Sequence, residues 1–179
     1  MSFEVEEEVA YYDLERRLSW QEGGLWPHLN HYNFHEAVVA AYFVLRGYHV
    51  LWDYSSTSLL SKRPVARTSS QLFHEVVGPD VSAFFLGDLA TATRGGSGQP
   101  DLFVFREEEP PADKKVKYLD PRLWFFVEVK GPRDRVGPNQ RVFWKAVAER
   151  TDLGLGPERI RLFRTAPCGE EPELKPIDY

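Results

Sequence analysis

Asp101, Glu128 and Lys130 are the residues of this 179-residue chain whose types and spacing could do chemistry together. Asp101 follows Gly98-Gln99-Pro100 and heads the apolar run Leu102-Phe103-Val104-Phe105, while Glu128 and Lys130 end a second run that starts at Trp124. Successive side chains of a strand alternate faces, so Glu128 and Lys130 share one side and Val129 takes the other. An acid inside an otherwise apolar central strand is costly to bury unless a lysine, a metal or hydrogen bonds compensate it. Taken alone, Glu-x-Lys at a strand end is more often a satisfied ion pair than a site. A second acid after Gly-x-Pro, at the mouth of another apolar strand, changes that balance, because two hard oxygen donors can converge on one magnesium-type ion.

The elements that must carry these residues follow from periodicity and punctuation. Residues 33–47 read as a helix with Asn33 in the N-cap position and Gly47 as its stop, followed by a strand over 48–53. Residues 54–97 read as a partly helical insertion, with helical pieces at 69–77 and 80–86 broken by Gly78-Pro79. Strands over 101–106 and 123–130 flank a polar, proline-bearing connection, and 138–150 reads as a second helix with Pro138 near its start. Residues 159–165 alternate polar with apolar in the manner of an edge strand. The expected organisation is an acidic leader over 1–30, one compact domain over 31–166 and an acidic, Pro-rich tail over 167–179.

These motifs resemble the PD-(D/E)xK nuclease superfamily and, within it, the VRR-NUC (virus-type replication-repair nuclease) family. The resemblance rests on Gly98-Gln99-Pro100-Asp101-Leu102, Val127-Glu128-Val129-Lys130-Gly131-Pro132, Asp134-Arg135 and Gln140, which occur in the family order. It implies an α/β restriction-endonuclease-like core, a central mixed sheet flanked by helices in the order α-β-β-β-α-β. It implies Asp101, Glu128 and the Val129 carbonyl as ligands of Mg2+ or Mn2+, and Lys130 as the residue that positions and helps deprotonate the attacking water. Gln140 resembles the family's helical glutamine near the lysine; a solvated polar residue at a helix start is the alternative. Glu36 matches the additional glutamate that many superfamily members carry on the first core helix, while a capping-box role accounts for it without any catalytic one, and the two roles need not exclude each other.

Net charge at first opposes a nucleic-acid enzyme, since the chain carries a formal −5. The acids concentrate at the ends, however: residues 1–30 hold −5 and residues 167–179 hold −3, which leaves +3 for the body between them. Arg94, Arg133, Arg135, Arg141 and Lys145 are the candidate phosphate contacts, with a solvated face as the other reading. Arg94 lies in a Gly-rich loop that matches no P-loop and reads as a linker before it reads as a phosphate cradle. No apolar stretch is long enough to span a bilayer and the acidic start argues against a secretory signal, so a cytoplasmic location without membrane association is expected. Cys168 stands alone, the histidines lack a strand-anchored partner for zinc, and there is no Gly-x-Ser-x-Gly elbow. The expected activity is therefore metal-dependent phosphodiester hydrolysis, with DNA favoured over RNA and a homodimer as a further expectation. A non-catalytic nucleic-acid- or protein-binding module on the same fold, or an RNA-directed nuclease, are the alternatives.

Overall fold

A computed structural model describes residues 5–12, 34–52, 54, 64–93, 98–106 and 123–170. Its strands are β1 (Glu6–Tyr12), β2 (His49–Leu51), β3 (Leu102–Arg106), β4 (Leu123–Lys130) and β5 (Ile160–Pro167). They form one sheet in the order β1-β5-β4-β3-β2, in which β1, β5 and β4 run parallel and β4, β3 and β2 alternate. The helices are α1 (Phe34–Val44), α2 (Pro64–Val77), α3 (Pro79–Phe84) and α4 (Pro138–Ala148). Two parallel neighbours need a crossover, and α4 provides it between β4 and β5. This is the mixed, helix-flanked α/β sheet of the restriction-endonuclease-like class.

Side-chain parity explains why β3 and β4 read as unbroken apolar runs: both of their faces are covered. On one face Val39, Ala40 and Phe43 of α1 pack against Leu102, Val104, Phe125 and Val127. On the other, Phe73 of α2, Phe84 of α3 and Phe143 and Trp144 of α4 pack against Phe103, Trp124 and Phe126. Glu128 and Lys130 have the parity of Trp124 and Phe126, which turns them toward α4.

Three expectations change. Residues 159–165 do not form an edge: β5 lies between β1 and β4, and the arginines of this stretch reach partners on the neighbouring strands. Arg161 lies over the Phe125 ring at 4.1 Å and pairs with Glu8 at 3.4 Å, while buried Arg164 pairs with Glu7. Those acids belong to the stretch expected as a leader, and opposite charges across neighbouring strands seat part of it as edge strand β1. In the insertion, the first helix begins at Pro64, before the expected 69. Gly78, at φ +83°, separates it from α3, which continues through a π-helical turn over Phe85–Leu89 to Ala90–Ala92. No helix among the described residues is long and apolar enough to cross a membrane.

Candidate active site

The two chemistry-bearing strand ends meet. Leu102 of β3 pairs with Val127 of β4 in an antiparallel register, so the next residues outward, Asp101 and Glu128, stand opposite each other and point to the same face. Pro100 brings no N–H to the ladder, and a side chain continues it: the Val129 amide donates to Asp101 Oδ2 at 2.8 Å. Behind them the buried Tyr54 hydroxyl donates to the Pro100 carbonyl at 2.9 Å, with its ring among Phe73, Phe103 and Phe126. Burial above all, and the nearby charges of Asp101 and Glu128, hold that hydroxyl well above its ordinary pKa, although a hydrogen bond with Gln99 opposes them. It therefore stays a donor.

Glu128 is fully buried and asymmetrically served. Its Oε1 receives Lys130 Nζ at 2.6 Å and the Gln140 amide group, whereas Oε2 has no hydrogen-bond partner. The remaining polar neighbour is the Asp101 carboxyl, an acceptor when ionised, and the two can bond to each other only by sharing a proton. Burial first, then the Asp101 charge, raises the Glu128 pKa to about 8 against the pull of Lys130. Asp101 is also raised by burial, moderated by the Val129 amide and the Lys130 charge. Glu36, on the first turn of α1, is raised to about 7 by burial and then by Asp101, which places its carboxyl in the same field. Desolvation first, and repulsion between neighbouring carboxyls after it, favour the protonated forms in this site. A hard cation between the carboxylates would relieve what a proton relieves otherwise, and in that respect the donor set fits a divalent ion. Among the described residues no group of three or more His, Cys, Asp and Glu side chains is arranged to hold a metal ion. The acidic donors opposite each other are thus the pair Asp101 and Glu128, beside the Val129 carbonyl on the same strand.

Gln140 does two things at once. Its Oε1 accepts the Gly137 amide at 2.7 Å, closing the first turn of α4, and its Nε2 donates to Glu128. The reading of a merely solvated helix-start residue is set aside by that second bond. The capping alternative for Glu36 depends on Asn33, which lies outside the described residues. Gly98 is required by close approach: its φ is +88°, and a Cβ there would stand 2.3 Å from the Asn139 carbonyl oxygen. The loop leading to Asp101 is thereby packed against the start of α4 beside Gln140.

The basic candidates divide. Arg133, Arg135, Arg141 and Lys145 are exposed around the turn after β4 and the first turns of α4, although Lys145 also reaches Glu149 at 3.8 Å. Arg94 lies outside the described residues, as do Lys114, Lys115, Lys117, Arg122, His28 and His31. Arg150, another basic residue of the motif region, is engaged with Asp152 at 2.9 Å and Asp88 at 3.6 Å. His35 contacts Thr165 Oγ1 at 2.5 Å, and that hydroxyl donates to the Lys130 carbonyl at 3.3 Å. Sequence reasoning missed Tyr54, Thr165 and Arg164. Tyr54 sits alone in a stretch without periodicity, and the other two acquire their partners only through sheet pairing.

Comparison with curated proteins gives no significant match. The family model of the VRR-NUC domain matches residues 33–155, a stretch that contains Asp101, Glu128, Lys130, Gln140 and Glu36. The chain therefore belongs to the VRR-NUC family of nuclease domains.

Proposed function

We propose that the protein is a divalent-metal-dependent nuclease that hydrolyses phosphodiester bonds, with DNA as its substrate. The observation that carries this reading is the pairing of Asp101 with Glu128 at a buried sheet end, one Glu128 oxygen without a partner and Lys130 on the other. Asp101, Glu128 and the Val129 carbonyl would hold Mg2+ or Mn2+. When bound, such an ion stabilises charge developing on a phosphoryl oxygen and lowers the pKa of a water. Lys130 positions the attacking water and helps remove its proton, and Gln140 fixes Glu128 while keeping the head of α4 closed. Glu36 adds a carboxyl of raised pKa at the edge of the site, where it can bond the water network. Arg133, Arg135, Arg141 and Lys145 offer cations to the phosphates on either side of the scissile bond. In-line attack on phosphorus breaks the bond to the 3′ oxygen, leaving a 5′-phosphate and a 3′-hydroxyl.

The test is incubation of purified protein with supercoiled, branched and single-stranded DNA and with RNA, each with and without Mg2+ or Mn2+. Asp101→Ala and Lys130→Ala serve as controls whose folding is checked by circular dichroism. Strand scission of DNA that requires the ion and is lost in both variants is the expected result. Full cleavage by both variants would discard the assignment, and metal-independent retention without scission would mark a binding module.

A further inference from the structure

The turn between Lys130 and α4 is held by residues that lie far from it in the chain. Gly131 donates its amide to Asp134 Oδ2 at 2.9 Å and accepts the Asp134 amide at 3.2 Å, closing the turn on itself. The Asp134 carbonyl accepts Arg164 Nη1 at 3.0 Å, and Arg164 Nε donates to Glu7 Oε1 at 2.5 Å. Arg164 is 6 % exposed, so its charge is tolerable only through those partners. A planar guanidinium is suited to this, because it fixes two acceptors in set directions where an ammonium would not. Glu7 belongs to β1 and Arg164 to β5, both outside residues 33–155.

A pair that served only to seat β1 on β5 would end at the Glu7 carboxylate. Here the other arm of the guanidinium goes to the backbone of the segment that carries exposed Arg133 and Arg135, directly beyond Lys130. Thr165, the next residue of β5, ties the Lys130 carbonyl at 3.3 Å. We propose that Glu7 and Arg164 are positioning residues for nucleic-acid binding: through Arg164, β1 sets the conformation of the 131–135 turn and so presents Arg133 and Arg135 to backbone phosphates. This rests on the nucleic-acid reading above. It makes the acidic N-terminal strand a contributor to binding, although its own charge repels the ligand.

Binding of a fluorescent DNA duplex to the full chain in EDTA, followed by anisotropy across a salt series, tests it. Loss of a phosphate contact lowers the magnitude of the log K against log salt slope by about 0.9. Arg133→Ala with Arg135→Ala should lower it by roughly twice that. Glu7→Ala should lower it measurably and weaken binding several-fold, Glu7→Gln should recover part of the loss, and Glu7→Ala added to the two arginine changes should cost nothing further. Amide exchange at Gly131 and Asp134 should accelerate in Glu7→Ala, with the core of β4 unchanged. If Glu7→Ala does not fold, Glu7→Gln carries the comparison with a smaller loss of the same sign, because it keeps an acceptor oxygen but not the charge. Wild-type slope and wild-type Gly131 exchange in the folded Glu7 variant, with a reduced slope in the arginine variant, would overturn this inference alone. Fully additive losses would overturn it too. Absence of DNA binding by the wild-type protein would overturn the nucleic-acid reading and this inference with it.

Discussion

Glu128 shows how a buried acid can be held and left incomplete at once. Lys130 and Gln140 both serve Oε1, so the side chain is fixed in direction, while Oε2 is left without a donor. A structural ion pair would be expected to satisfy both oxygens, because an unserved buried acceptor costs about 1–3 kcal/mol. Gln140→Ala should separate the two tasks of that side chain. Loss of the bond to the Gly137 amide removes about 1 kcal/mol of helix capping, or roughly 2–4 °C in Tm. If Glu128 is a metal ligand as proposed, loss of the bond to it should lower cleavage by about 10–100-fold, the usual cost of removing a partner behind such a ligand. Thermal melts and initial cleavage rates on the same preparation measure both. Unchanged cleavage with a lowered Tm would reduce Gln140 to a cap. The types of Asp101, Glu128 and Lys130 were legible from the sequence because strand parity is local; which oxygen of Glu128 is served was not, since Gln140 arrives on a helix whose angle the sequence does not state.

The approach of β3 to β4 depends on two small devices. Gly98→Ala would force a left-handed φ on a residue with a Cβ and drive that Cβ into the Asn139 carbonyl, so we expect a loss of more than about 2 kcal/mol in denaturant unfolding. The backbone cannot give way there without moving Asp101 or the head of α4, and divalent-ion affinity should fall along with stability. Stability and affinity equal to wild type would mean that the loop packs elsewhere. Tyr54→Phe is gentler: the ring stays among Phe73, Phe103 and Phe126, and the hydroxyl's bonds to the Pro100 carbonyl and with Gln99 go. A cost of about 1–2 kcal/mol and weaker Mn2+ binding by calorimetry are expected, since Asp101 is the next residue. No change in either would leave Tyr54 as core alone. Helix α1 and the strands β3 and β4 were readable because apolar runs, Gly and Pro mark them. Strand β1 was not, since Glu6-Glu7-Glu8 reads as a solvated leader until Arg161 and Arg164 stand beside it, and the same pairing moved β5 from the edge to the interior.

Across the molecule, charge is distributed so that a net −5 chain still offers cations around its site, with part of the N-terminal acid neutralised inside the sheet. The site itself stores proton affinity. Glu36 and Glu128 bind protons more tightly in the folded chain, at about 7 and about 8, than at the ordinary 4.5 of an unfolded glutamate. Their contribution to stability is therefore complete below about pH 4.5 and is lost as pH rises through 7 and 8. Metal-free protein should melt several degrees lower at pH 9 than at pH 6, and Glu128→Gln should flatten that dependence. If a bound cation takes the place of the proton, as the proposed function requires, Mg2+ should raise Tm more at high pH than at low. A melting temperature independent of pH, or an ion effect largest at low pH, would speak against the pairing of Asp101 with Glu128. The most direct measurement is a crystal of the wild-type protein soaked in Mn2+ and examined at the manganese absorption edge. An anomalous peak within about 2.0–2.3 Å of oxygens from both Asp101 and Glu128 is the predicted result. A protein that cleaves DNA in Mn2+ while its crystals place the ion away from both carboxylates would contradict the account.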